Sequence, residues 1–317
     1  MKKRTLVAVD RLEVFVVVDN YVDDALPESP LVRRYRLGKD GRLPIDSFLA
    51  EHALCLLLTA TAGSERARLV LDAACTPVVL PHNLSFGGVN LGRVTEVVIS
   101  HGHEDHMGAL PQLLQEMAAP ARVYVHPGAF HTPRYYRTDD GELLLEPAFE
   151  REWITAAGAE LVETSGPVPA GEGMFLITGQ IPRRTGFEKA LPGSVMEVKG
   201  RLVPDVIIED QAVVVLIRNY GLVILTGCAH AGVINTIRYA RELTGCDEVY
   251  AVVGGFHLAG APLRPALQPT VEALTEIGPR LLVPMHCTGV EAKSLLHRRF
   301  AQHTLVSGVG STFLFPP

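Results

Sequence analysis

The stretch VVISHGHEDHMGALPQLL, residues 97–114, places His101, His103, Asp105 and His106 within six positions and then turns into an apolar, helix-like pattern. An extended strand end points residues two apart the same way, so His101, His103 and Asp105 project to one side. His106 follows from the turn into the helix. Imidazoles gathered with a carboxylate suit zinc, iron or manganese, and four such groups exceed what one open catalytic ion takes from one segment. Two neighbouring ions are therefore expected. The cluster follows an apolar strand and opens a helix, a place where a site is both rigidly held and reachable. Gly102 and Gly108 allow the backbone a tight path there.

Outward from this stretch the chain alternates between strand and helix patterns. LEVFVVVDN, ALCLLLTAT, ARLVLDAA and VTEVVIS read as strands, and ARVYVHP follows the helix as another. The region of about 127–212 is less regular and rich in Gly and Pro. It reads as hairpins and long loops forming a substrate-pocket insertion. A second βα series then runs through AVVVLIRN, GLVILTGCAH, GVINTIRYARELTG, EVYAVVGGFHL, TVEALTEIG and RLLVPMHCTG to a last helix, VEAKSLLHRRF. Two β-rich halves, each with helices to cover one face, predict an α/β fold: a four-layer αβ/βα sandwich forming one domain over 1–317.

Composition limits the function classes. With 317 residues, 47% hydrophobic and 20% charged at a net charge of −6, the chain has the profile of a soluble globular protein with a large core. Neither a signal peptide nor a membrane span is apparent, so a cytoplasmic setting is expected. The mild acidity argues against a nucleic-acid partner. The basic clusters LVRRYR and HRRF read as solvated faces. The five cysteines are odd in number and lack a CxxC, which suggests no disulfide framework.

HGHEDH fits the HxHxDH signature of the metallo-β-lactamase fold superfamily, and LVLDAA, with Asp72, matches its short Asp-containing strand. GLVILTGCAHAGVINTIRYARELTG, VVGGFHL and VPMHCTG resemble the subgroup of metal-dependent hydrolases related to the methanopterin-pathway 7,8-dihydropterin-6-methyl-4-(β-D-ribofuranosyl)-aminobenzene-5'-phosphate synthase. The resemblance spans about 45–315 and implies the four-layer fold. It further implies that His101 and His103 hold a first divalent metal, zinc or alternatively manganese or iron, and that Asp105 and His106 hold a second, completed by His286. Many members carry an Asp after TG as a bridging ligand, where this chain has Cys228, with His230 two residues on. Cys228 reads either as a thiolate ligand or as a small buried residue. No histidine stands in FLITGQIPRRTGFE, so either His230 fills the first shell or that shell is incomplete.

Three further residues are candidates. His257, after a strand and two glycines, reads as a substrate or proton-transfer group. Arg183 and Arg184, on a Gly/Pro-framed loop, are of the type that grips phosphate or carboxylate. The expected activity is hydrolysis of a small phosphorylated or ester metabolite by water activated at one or two metal ions, with Asp105 orienting the nucleophile. The alternative implied by the resemblance is a pterin-methyl-diphosphate transferase. The sequence leaves the oligomeric state open.

Overall fold

Period-two alternation explains the layers. In the computed structural model, which describes residues 6–35, 38 and 44–316, Val223 and Leu225 of one strand enter the central core while Leu222 and Ile224 face outward. The strand before it does the same, with Val213 and Val215 inward and Ala212 and Val214 outward. Alternate side chains leave a strand on opposite faces, so a strand apolar at every position must be covered on both sides.

Three sheets result. The first has the order β2 (Val32–Arg33), β18 (Thr312–Phe315), β1 (Arg11–Val18), β3 (Cys55–Ala62), β4 (Glu65–Leu71), β5 (Glu96–Val98), β6 (Arg122–Val125) and β9 (Glu160–Glu163). The second runs β10 (Val168–Ala170), β11 (Phe175–Ile177), β14 (Ala212–Ile217), β15 (Gly221–Thr226), β16 (Val249–Gly254) and β17 (Leu281–Pro284). A small third sheet runs β13 (Arg201–Pro204), β12 (Ser194–Val198), β7 (Arg134–Arg137) and β8 (Leu143–Leu145).

The helices are α1 (Val79–Phe86), α2 (Glu104–Met107), α3 (Leu110–Glu116), α4 (Glu152–Thr155), α5 (Val233–Thr244), α6 (Leu267–Ile277) and α7 (Val290–Phe300). Leu56, Leu58 and Leu69 of the first sheet meet Val215, Val223 and Val253 of the second in the central core. Leu110 and Leu113 of α3 cover the first sheet's outer face over Leu57, Val70 and Val97. Ile234 and Ile237 of α5, Leu274 of α6 and Leu296 of α7 cover the second over Ile224, Val252 and Leu282. The architecture is the four-layer αβ/βα sandwich.

Two expectations need adjustment. The pattern after the histidine cluster forms two short helices, α2 and α3, interrupted at Gly108 and Ala109 ahead of Pro111. The segment 127–212 is not one loop-rich insertion, because β9 joins the first sheet and β10 and β11 the second, with Phe175 and Ile177 fully buried. Among the described residues of this segment, the strands of the small sheet pair with neither of the two large sheets. In the basic cluster LVRRYR, Arg33 pairs with Glu13 at 2.8 Å and Arg34 donates to the Val306 carbonyl; Arg36 lies outside the described residues. Among the described residues no helix is long and apolar enough to cross a membrane.

Candidate metal centre

The strand β5 runs parallel to β4, and β15, β16 and β17 run parallel to one another, so the carboxyl ends of each set lie together. Asp72 follows β4 and Ser100 and His101 follow β5. Cys228, His257 and His286 follow β15, β16 and β17 in turn. Ligand sites form beyond the carboxyl ends of such strands because the loops there diverge and leave room. Asp72, Ala229, His257 and His286 hold left-handed backbone at φ 62°, 60°, 51° and 43°. Such conformations persist for non-glycine residues only where the surroundings enforce them, and they gather at functional sites. Gly227 has no room for a side chain: a Cβ there would fall 2.0 Å from Ser100 Oγ and 2.9 Å from Asp72 Oδ2. The tight path at Gly102 has a similar cause, since a Cβ would meet the Ala129 carbonyl oxygen at 2.5 Å.

Seven side chains converge. His101 Nε2 lies 3.1 Å from His103 Nδ1 and 3.2 Å from His230 Nε2. His106 Nε2 lies 3.0 Å from His286 Nε2, 3.2 Å from Cys228 Sγ and 3.5 Å from Asp105 Oδ2. Asp105 Oδ2 is 3.1 Å from His286 Nε2. Cys228 groups both with Asp105, His106 and His286 and with His101 and His230, and Asp105 also groups with His101 and His103. These two residues therefore stand between two donor sets.

The opposite nitrogens show which atoms carry lone pairs. His106 Nδ1 donates to Asp72 Oδ2 at 2.6 Å. Ser100 Oγ donates to Asp72 Oδ2 at 2.9 Å and so is free to accept from His101 Nδ1, also at 2.9 Å. His286 Nδ1 donates to Asn20 Oδ1 at 3.1 Å. With those nitrogens committed outward, His101, His106 and His286 turn their Nε2 atoms to the centre, the arrangement by which outer partners orient metal-binding imidazoles. Lone pairs about 3 Å apart repel unless a cation lies among them, so the residues fit a divalent ion.

Without an ion the electrostatics divide the cluster: burial opposes a charge on His286, yet Cys287 and Asp105 raise it to about 9, so its imidazole, like that of His106, favours a second proton that a bound ion would displace. Burial, with the charges of His106 and His103, pushes His101 well down, and burial likewise pushes down His230, so both rings are neutral. Burial opposes a charge on His106, yet Asp105 and Asp72 overcome it and hold its pKa well up. A potential that retains a proton on a buried imidazole will also attract a metal cation. Burial acts against ionised Asp105 too, but His106 and His286 hold it well below the carboxylate range.

A cavity of about 420 Å³ opens onto this centre, with Cys228, His230, His257 and Cys287 among its lining and Tyr136, Leu144 and Leu145 of the small sheet beside them. His257 is buried, its ring lies 4.4 Å from that of His230, and its Nε2 has no hydrogen-bond partner among the described residues. The two arginines are placed elsewhere. Arg184 pairs at the surface with Glu242 at 2.7 Å, Arg183 donates to the Val206 carbonyl, and neither lines the cavity. The sequence pattern did not point to Asn20, Ser100, Glu146 or Cys287. Glu146 Oε2 stands 3.8 Å from His103 Nε2, and Cys287 Sγ 2.7 Å from Cys228 Sγ. Of these, only Ser100 and Cys287 had a local signal, each adjoining a candidate ligand.

The fold, with its clustered donors beyond the strand ends, agrees with a sequence match: the metallo-beta-lactamase superfamily profile fits residues 41–286, and the chain belongs to that superfamily. It is 26% identical over 277 residues to 7,8-dihydropterin-6-methyl-4-(beta-D-ribofuranosyl)-aminobenzene-5'-phosphate synthase of Methanocaldococcus jannaschii, covering 86% of this chain and 92% of the relative. It is also 25% identical over 249 residues to an uncharacterized protein of the same organism, covering 78% of this chain and 88% of that one. A solved structure described as a metal-dependent hydrolase of the beta-lactamase superfamily superposes with a TM-score of 0.71 at 22% identity, covering 95% of this chain and 98% of its own.

Proposed function

We propose that the protein is a metal-dependent hydrolase of a small phosphorylated or ester-containing metabolite. His101, His103 and His230 hold one ion, and Asp105, His106, Cys228 and His286 hold a second. The observation that carries this reading is the convergence of Nε2 atoms from His101, His106 and His286 whose Nδ1 atoms are bonded outward to Ser100, Asp72 and Asn20. Bound divalent ions supply Lewis acidity and lower the pKa of water towards neutrality. A thiolate in the shell favours zinc, while the imidazoles and carboxylate also suit manganese or iron.

The chain's own residues set the rest of the chemistry. The Asp105 carboxylate, between the two donor sets, orients the nucleophile. His257 lines the cavity, carries a buried Nε2 with no hydrogen-bond partner among the described residues, and exchanges a proton with the substrate. Leu144, Leu145 and Leu263 offer apolar contact for the organic part of a small ligand.

A second reading, a pterin-methyl-diphosphate transferase, draws its support from the 26% identity to the dihydropterin synthase. There the same residues would hold ions that grip a diphosphate leaving group. Metal content per chain, measured by elemental mass spectrometry on wild type, His103→Ala, His230→Ala and Cys228→Ala, tests the centre. About two ions in wild type and fewer in the variants are expected. One ion or none after reconstitution with zinc, manganese and iron overturns the two-ion reading. Turnover of simple phosphoesters or esters marks the hydrolase, whereas diphosphate release that requires both pterin and aminobenzene substrates marks the transferase.

A further inference from the structure

We propose that Cys228 and Cys287 form a reversible disulfide site, closed by a hydroperoxide, that withdraws the Cys228 thiolate from the metal donor set. The two sulfurs lie 2.7 Å apart. A disulfide bond is about 2.04 Å, so closure asks for a movement of roughly 0.7 Å, within the reach of side-chain torsions. Cys228 follows β15 and Cys287 follows β17, with β16 between them in the sheet. What lets them meet is Gly255, just beyond β16: a Cβ there would fall 3.0 Å from both Cys287 Sγ and Cys228 Cα. Left-handed backbone at the neighbouring Ala229 and His286 fixes the direction from which each cysteine enters.

Accessibility assigns the order of events. Cys287 lines both the cavity over the metal centre and a second one of about 460 Å³ that reaches to Lys293 of α7, so a small peroxide can approach it from two sides. Cys228 is buried. The Cys287 thiolate attacks the peroxide ROOH, taking one oxygen as the O–O bond breaks, and gives the sulfenic acid and ROH. Cys228 sulfur then displaces hydroxide from the Cys287 sulfur, the S–S bond forms and water leaves. In total two thiols and one hydroperoxide give a disulfide, ROH and water, and a dithiol reverses the change by exchange. Among the described residues no other two sulfurs are in contact, and Cys55, Cys75 and Cys246 are free. The consequence for the donor set follows from Cys228 Sγ lying 3.2 Å from His106 Nε2, and this part alone rests on the metal-centre reading.

The test uses the full chain, both metal-loaded and chelator-stripped, treated with hydrogen peroxide, alkylated, digested without reductant and mapped by mass spectrometry, with metal content measured in parallel. The expected product is a 228–287 cross-linked peptide, two hydrogens lighter than the pair and abolished by dithiothreitol. It should form faster in the stripped protein, and metal content should fall at least twofold in the loaded one. Cys287→Ser should yield no cross-link at Cys228 and keep its metal longer under the same peroxide. Recovery of both cysteines as alkylated or sulfinic forms without a cross-link overturns the proposal, as does a cross-link with metal content unchanged. If untreated wild type binds no metal at all, the metal-centre reading falls, while the stripped-protein map still decides whether the disulfide forms.

Discussion

Replacing Asp72 by Asn tests whether metal binding depends on a residue that need not touch the ion. Asp72 is fully buried and accepts from Ser100 N at 2.7 Å, Ser100 Oγ at 2.9 Å and His106 Nδ1 at 2.6 Å. An asparagine can keep its oxygen on Ser100 N. Its amide nitrogen then faces Ser100 Oγ–H and His106 Nδ1–H, two donors that cannot pair with a third. Relief requires His106 to move its proton to Nε2, the atom that lies 3.0 Å from His286 Nε2 at the centre. The lone pair is lost there, and the chain through Ser100 loosens His101 as well. Outer-partner changes of this kind cost about 10–100-fold in metal affinity, or about 1.4 to 2.8 kcal/mol. Losing the charge-assisted bonds also costs about 3 kcal/mol of metal-free stability. Competitive titration against a chromophoric chelator measures the first quantity and urea unfolding the second. An Asp72→Asn variant that is folded and binds metal within twofold of wild type would refute the argument that Asp72 sets the His106 tautomer.

Other substitutions probe separate parts of the structure. Cys228→Asp should retain metal but shift preference from zinc towards manganese as a carboxylate replaces the soft thiolate, read by competition between the two ions. Arg134, buried and paired with Asp205 at 2.9 Å and Glu209 at 2.6 Å, leaves two buried carboxylates when changed to Met; a loss of about 3–5 kcal/mol in urea unfolding is expected. Arg184→Ala removes only an exposed pair with Glu242 and should leave both the urea unfolding midpoint and KM unaltered; a raised KM would restore the arginine to the substrate site. Burial pushes the Asp210 carboxyl up to about 7 against the Ala231 N–H and Arg183. A carboxyl raised on folding contributes its stability below the unfolded pKa of about 3.9 and loses it as pH rises through the folded value. Stripped wild type should therefore lose up to a few kcal/mol relative to Asp210→Asn between pH 4 and 8, and parallel pH profiles would contradict this.

The legible part of the site was the part built locally. His101, His103, Asp105 and His106 are neighbours along the bend from β5 into α2, with Asp105 and His106 already helical rather than on an extended strand end, and their closeness in sequence is what brings them together. The unbroken apolar runs of β14 and β15 likewise identify a sheet covered on both faces. Between about 127 and 211 the strands are three to five residues long, too short for period-two patterning to separate core strands from the small outer sheet. Asn20 was not legible because its role depends on β1 lying where its end meets the end of β17, a relation between residues 266 positions apart.

The arginine loop shows why residue type alone was insufficient there. Asn235 Oδ1 of α5 accepts from the backbone of Arg184 at 2.9 Å and of Thr185 at 3.0 Å, while Glu188 accepts from Ile234 N and Asn235 N at the start of the same helix. The loop is thereby clasped to α5, and from that backbone Arg184 reaches the outer helical surface at Glu242. The same clasp fixes the start of α5, three residues beyond His230. The loop's bearing on the candidate centre is thus partly mechanical: Glu188 and Asn235 hold the helix start that follows His230, while the Arg184 guanidinium is spent at the surface on Glu242.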